Sequence, residues 1–225
     1  MTILIHACPQ RMWYVEDFLV PAIEAQGADH IEIWNDTEKA GNLAACLESF
    51  ATRKGDGGTW HIQDDVLPCR DFVKRCKALD EGLVYGFCCR NFDDRLDACG
   101  EVYMEDAWHS FQCVRIPNAY ARECASWVRG EKWKSESPSP ELPILWKLGK
   151  GDDTFFHEFM ACRHPFETAK NLKPNLVEHI DWLIGGSSIQ HWRDYLARAE
   201  FWEDDDLVDA LRARLKTYQP PKQAI

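Results

Sequence analysis

No apolar run in this chain approaches the ~20 residues that a membrane-spanning helix needs, and no two cysteines stand in C-x-x-C spacing. The second absence removes the usual signature of a structural zinc site. The ten cysteines are Cys8, Cys46, Cys69, Cys76, Cys88, Cys89, Cys99, Cys113, Cys124 and Cys162, and most fall inside apolar segments such as Ala44-Ala45-Cys46-Leu47 and Phe87-Cys88-Cys89. Free cysteine packs as a small hydrophobe, so a reduced, cytoplasmic protein is expected. A basic excess is lacking too, since 37 acidic residues against 26 basic ones leave a net charge of −11. That argues against binding nucleic-acid phosphates by general electrostatics and leaves only a local basic patch open. Met1-Thr2-Ile3-Leu4-Ile5-His6 has neither a basic n-region nor a cleavage site, so it reads as a first strand rather than a signal peptide.

What the chain does have is material for a core, with 10 Trp and 11 Phe in 225 residues. That length suits one large domain, or one domain with a helical extension. The most informative stretch is Gly57-Gly58-Thr59-Trp60-His61-Ile62-Gln63-Asp64-Asp65-Val66-Leu67-Pro68. A short apolar strand runs into two carboxylates and stops at a proline. Aspartate is disfavoured in strands, so a doublet there has a purpose. It either makes a hard oxygen site for Mg²⁺ or Mn²⁺ on a diphosphate, or opens a turn and caps the next helix.

The flanking pattern is a Rossmann-like α/β half with parallel strands. Thr2–Ile5 is a strand, and His6 to Arg11 is the loop leaving its C-terminal end. Apolar residues at Val15, Phe18, Leu19 and Ala22-Ile23 have helical spacing, and Gln26-Gly27-Ala28 ends that helix. Ile31–Trp34 is a second strand ending in Asn35-Asp36, and a helix starting near Gly41-Asn42 carries Leu43, Cys46, Leu47 and Phe50 on one face. Ligands of open α/β sheets bind at the C-terminal strand edge, where Arg11 and Asp36 fall. Arg11 meets a phosphate or base edge there, or is a surface arginine; Asp36 takes a ribose or base, or caps a turn.

Farther on, a helix is expected over Asp71–Leu79 and a strand over Leu83–Phe87. Glu101–Met104 gives a modest strand signal, Gln112–Ile116 a firmer one, and Pro117-Asn118 opens a helix over Ala119–Val128. Lys132–Pro143, rich in Ser and Pro, reads as a mobile loop that is either a lid or an inert insertion. In Gly151-Asp152-Asp153 one aspartate is expected to cap the aromatic helix carrying Phe155, Phe156 and Phe159, and the other to be free for general-base work. His179 is a candidate metal ligand and Gly185-Gly186-Ser187-Ser188 a phosphate cradle, or a structural histidine and a plain loop. Trp192 to Tyr218 reads as two amphipathic helices broken at Glu203-Asp204-Asp205-Asp206, the acidic run being a cap and solvated first turn.

Together these stretches resemble a metal-dependent glycosyltransferase of the GT-A type, in particular the small glycosyltransferase-like proteins encoded by phages and prophages. The resemblance rests on the Pro9–Arg11 loop, Asp36 ending the second strand, Gln63-Asp64-Asp65 as an Asp-x-Asp variant, and Leu176-Val177-Glu178-His179 followed by Ser187-Ser188. Gly151-Asp152-Asp153 occupies the place of the acidic motif that supplies the base in inverting members. Gln63 departs from the pattern by removing the first acidic charge. The resemblance implies a GT-A domain over 1–190 with a mostly parallel central sheet flanked by helices, and C-terminal helices over 191–225 packed on it. It implies a nucleoside-diphosphate sugar, UDP-linked by expectation, held by Pro9, Arg11, Asp36, Asn42, Gln63, Asp64, Ser187 and Ser188. Mn²⁺ or Mg²⁺ is expected on Asp65 with Asp64 and His179, and Asp153, with Asp152 beside it, is the expected base.

The acceptor stays open between a modified base in phage DNA, a cell-surface glycan and a protein. Arg90, Arg95, Arg115, Arg122 and Arg129 are candidates for a basic cluster, and Trp108, Trp127, Trp133 and Trp146 either stack on a ligand or fill the core. Two rivals remain. A nucleotidyltransferase would use the same α/β half, but the chain has no Gly-rich basic loop near its N-terminus. A catalytically inactive member would act as a binding or inhibitor protein.

Overall fold

A computed structural model describes residues 1–38, 41–79, 81–86, 100–103, 111–172, 175–180, 184 and 213. Ser187, Ser188 and the expected helical extension over 191–225 lie outside the described residues, as do Arg90, Arg95 and Trp108.

The N-terminal half folds as its periodicity predicts. β1 (Thr2–Ala7) is apolar on both sides and almost fully buried, as a strand covered on both faces must be. A 3₁₀ turn (Pro9–Arg11) leads into one helical stretch made of α1 (Met12–Tyr14), a π-helical turn (Val15–Leu19) and α2 (Val20–Glu24). The chain then forms β2 (His30–Asn35), α3 (Asn42–Ala51) and β3 (Gly58–Gln63). After β3 it turns at Asp64-Asp65 into β4 (Val66–Pro68), then α4 (Phe72–Ala78) and β5 (Leu83–Tyr85). β6 (Gly100–Tyr103), β7 (Cys113–Pro117), α5 (Asn118–Arg129), α6 (Trp133–Glu136), α7 (Leu142–Leu148), α8 (Asp152–Arg163), β8 (Thr168–Asn171) and β9 (Val177–His179) complete the described elements.

Seven strands form one mixed sheet in the order β2-β1-β3-β7-β5-β8-β6. β1, β2, β3, β5 and β8 run the same way, and β7 and β6 oppose them. From β1 the chain steps outward to β2, then returns past β1 to β3. That reversal creates a switch point between the C-terminal ends of β1 and β3, where ligands of open α/β sheets bind.

Helices cover both faces. On one, Ile3, Ile5, Trp60 and Ile62 pack against Tyr14, Val15, Leu19 and Ile23, and against Phe72, Val73 and Cys76 of α4. On the other, the expected stripe of Leu43, Cys46, Leu47 and Phe50 meets Ala121, Cys124 and Val128 of α5 and Phe155, Phe156 and Phe159 of α8. Each large apolar side chain buried in this way stabilises the fold by ~1.5–3 kcal/mol. His6 and His61 also enter this face, with His6 Nε2 2.9 Å from His61 Nδ1 and the His61 ring 5.0 Å from that of Phe50.

Three expectations are corrected. Lys132–Pro143 is not a loose loop. It carries α6 and the start of α7, Trp133 is only 3 % exposed, and Trp127 Nε1 donates to Glu136 at 2.8 Å. Buried Trp133 and Leu142 anchor a segment whose Ser/Pro composition hides it. Second, neither aspartate caps α8: Gly151 (φ 83°) is the cap, and Asp152 and Asp153 form the first turn, where acidic side chains suit the helix dipole. Third, the stretch over 57–68 is not one strand stopped at Pro68: the chain turns at Asp64-Asp65, and Val66–Pro68 is a second strand, β4, that pairs antiparallel with β9 in a small second sheet.

Candidate functional site

Two carboxylate clusters lie at the C-terminal edge of the sheet. The first is built by the turn after β3. Asp64 Oδ1 accepts from Arg11 Nη1 at 2.6 Å and Asp64 Oδ2 from the Cys8 backbone N–H at 2.7 Å. The same Arg11 nitrogen donates to Asp65 Oδ2 at 2.7 Å. Pro9 starts the 3₁₀ turn that swings Arg11 back over the switch point, and Cys8 at its base supplies the amide. Arg11, Asp64 and Asp65 are 7 %, 5 % and 7 % exposed.

His179 arrives by strand pairing. β4 sets Val66 opposite His179, the Ile180 N–H donates to the Asp65 carbonyl at 2.8 Å, and His179 Nε2 stands 3.2 Å from Asp65 Oδ2. The Tyr14 hydroxyl, just before the π-helical turn, donates to the Val66 carbonyl at 2.7 Å and holds β4 from the other side. Cys8, Tyr14 and the β4–β9 pairing are parts of the site that sequence reasoning missed, because β4 and β9 are only three residues each.

Neighbouring charges set these two carboxyls apart. Burial would raise Asp65, but His179 and Arg11 outweigh it and hold its pKa below the ordinary aspartate value. At Asp64 burial wins over Arg11, the charge of Asp65 adds to it, and the pKa rises. Burial and Asp64 push the Cys8 thiol up to about 11, so it is no nucleophile at neutral pH.

The donor set does not form a closed metal cage. Among the described residues no group of three or more His, Cys, Asp and Glu side chains could hold a metal ion. Asp64 has both oxygens engaged. Asp65 Oδ1, however, is buried without a hydrogen-bond partner, next to the His179 imidazole. One carboxylate and one imidazole suit Mn²⁺ or Mg²⁺ only when phosphate oxygens complete the shell.

The second cluster joins the starts of α3 and α8. Asp36 follows β2, its N–H bonded to the Ala7 carbonyl at 2.9 Å, and its carboxylate accepts from the Gly41 N–H at 3.1 Å. The next residue, Asn42, is exposed and donates from Nδ2 to Asp152 Oδ1 at 2.7 Å. Asp153 Oδ1 instead accepts from the Thr154 N–H at 2.8 Å. Burial, then the charge of Asp153, pushes the half-buried Asp152 carboxyl up to about 7 against the pull of the Asp152 and Asp153 backbone N–H groups.

Of the other candidates, Gln63 ends β3 with its N–H bonded to the Gln112 carbonyl at 3.2 Å. Arg115 is buried and donates to the Gly82 carbonyl, and Arg122 donates to the carbonyls of Arg53 and Gly55. The basic cluster therefore loses two of its five members. Trp127 and Trp133 are core residues, and Trp146 packs on Trp133 and Phe155.

No family model matches the chain, and no curated protein does. Among solved structures it is similar to HddC from Yersinia pseudotuberculosis at 10% identity and a TM-score of 0.34, over 76% of this chain and 89% of that one. A likeness at that level carries no argument about function.

Proposed function

We propose that the chain is a glycosyltransferase of the GT-A type that binds a nucleoside-diphosphate sugar across the C-terminal ends of β1, β2 and β3. The observation that carries this reading is convergence. Arg11, Asp64, Asp65 and His179, far apart in sequence and each picked out by its motif, meet in one buried hydrogen-bonded cluster at the switch point. Asp36 ends the neighbouring strand, where it would meet the nucleoside, and its hydrogen bond to Gly41 leads to Asn42 and the Asp152–Asp153 pair.

Each part has a role. Arg11 braces the two carboxylates instead of reaching for the nucleobase. Asp65 and His179 would hold Mn²⁺ or Mg²⁺, which when bound stabilises charge on the leaving diphosphate. In transfer, an acceptor hydroxyl oxygen bonds to the anomeric carbon as that carbon's bond to the diphosphate breaks. The nucleoside diphosphate leaves with the electron pair, the hydroxyl proton passes to a carboxylate, and configuration inverts. Two observations favour Asp152 over Asp153 as that carboxylate: its pKa of about 7 suits a base at neutral pH, and Asp153 is turned to the Thr154 amide.

The test is a thermal-shift screen of nucleoside diphosphates and their sugars, with and without Mn²⁺. A ligand at a hundredfold excess over Kd stabilises the fold by ~2.7 kcal/mol. A Mn²⁺-dependent shift that disappears in Asp65→Ala supports the reading. No shift with any nucleotide would overturn it.

One observation favours the binding-protein alternative. Arg11 already compensates the carboxylate doublet, so the site is stable without an added cation. Nucleotide binding without transfer or donor hydrolysis would decide for it.

A further inference from the structure

Asn42 was expected to touch the donor, yet its side chain reaches a residue 110 positions away. The backbone makes that reach reproducible. Gly41 has φ 91°, and a Cβ there would stand 2.9 Å from the Gly149 carbonyl oxygen, so only glycine lets the two loops touch. The Leu43 N–H donates to the same carbonyl at 3.3 Å, fixing the first turn of α3 against the α7–α8 connection. Gly151 (φ 83°) then turns the chain into α8, and a Cβ there would fall 2.7 Å from Leu145 Cδ1. Both partners of the Asn42–Asp152 hydrogen bond thus sit on helix starts locked to each other through backbone contacts.

We infer that Asn42 is a positioning residue that orients Asp152 as the proton acceptor of the site. The inference depends on the transferase reading only for the identity of the proton donor. An amide N–H donated to a carboxylate aims one oxygen and favours the ionised form. Such aid matters here because burial and the like charge of Asp153, beside it on α8, oppose ionisation, while the Cys46 thiol on α3 faces Asp152 as a neutral group. The buried Tyr85 phenol of β5 faces Asp153. Among the described residues the amide of Asn42 and the backbone N–H groups of Asp152 and Asp153 oppose that set. The Asp36–Gly41 hydrogen bond precedes Asn42 directly, so a nucleoside held at Asp36 would steady the residue that aims the base.

The test is a ¹³Cγ NMR titration of aspartate-labelled protein from pH 4 to 9, with the Asp152 signal assigned by its loss in Asp152→Asn. Asn42→Ala should move the Asp152 midpoint upward by about half to one pH unit, the worth of a partly exposed hydrogen bond. Asn42→Asp, nearly isosteric but carrying a like charge, should move it further in the same direction. Superimposable curves for wild type and both variants would overturn the inference. In the active protein the acid limb of kcat should follow the same shift while KM for the donor identified by the thermal-shift screen holds. A shifted titration in a protein that transfers no sugar would uphold the positioning and sink the transferase reading.

Discussion

The two carboxylate clusters use the same residue type under opposite electrostatics. Asp64 and Asp65 are buried, share one guanidinium and have His179 alongside. Asp152 and Asp153 sit half-buried at a helix start, with an exposed amide and backbone N–H groups around them. At Asp65 His179 and Arg11 outweigh burial, and the pKa lies below the ordinary aspartate value. At Asp152 burial and a like charge prevail, and the carboxyl titrates near neutrality. A carboxylate held in its charged form suits binding, and a carboxyl poised at the working pH suits proton transfer.

The largest expected effect breaks the comparison on the catalytic side. Asp152→Asn should lower sugar transfer ~10²–10⁴-fold and leave nucleotide affinity intact, while Asp153→Asn should cost far less. Steady-state kinetics beside a nucleotide titration measures both, and equal losses in the two variants would reverse the assignment of the base. Next comes the stability of the buried cluster. Arg11→Ala strands two carboxylates out of water and should cost ~3–5 kcal/mol in urea unfolding, against less than ~1 kcal/mol for Asn42→Ala. Similar values for the two would show that the guanidinium is not the keystone of the first cluster.

A smaller effect has the opposite sign. The Asp152 pKa lies above its unfolded value, so the folded state binds the extra proton and stability falls as pH rises from about 4 to about 7. Asp152→Asn should remove that penalty, stabilising the fold by about 1–2 kcal/mol at pH 8 and hardly at all at pH 4. The gain would mark a residue kept for function at a cost in stability. The smallest effect concerns the His6–His61 pair. Burial, the largest cause, lowers His6 to about 4 and His61 well below its usual value, so the pair stabilises the fold above pH ~6.5 and loses that contribution as the pH falls toward 4. His61→Phe should flatten this acid limb in a pH series of melting temperatures; an unchanged limb would assign it to the carboxylates of the first cluster.

Much of the fold was legible beforehand. The stripe Leu43, Cys46, Leu47, Phe50 and the trio Phe155, Phe156, Phe159 are buried as their spacing requires. Lys132–Pro143 misled because its polar composition outvoted two buried anchors, Trp133 and Leu142. β4 and β9 have three residues each, too short for any periodicity to register. The candidate site was legible as a set of residues and not as a set of partners. Arg11 belonged to the right site but meets carboxylates, and Asn42 holds an aspartate.

By itself the sequence determined where strands and helices form and which faces they bury. Those follow from backbone sterics and from apolar periods of 2 and 3.6 residues, all local along the chain. It also determined that carboxylates end β3 and begin α8. The tertiary structure alone decided that Arg11 neutralises one pair, that the β4–β9 register delivers His179, and that Asp152 titrates near neutrality. Charge interactions depend on distance and on exclusion of water, and both are set by segments remote in sequence.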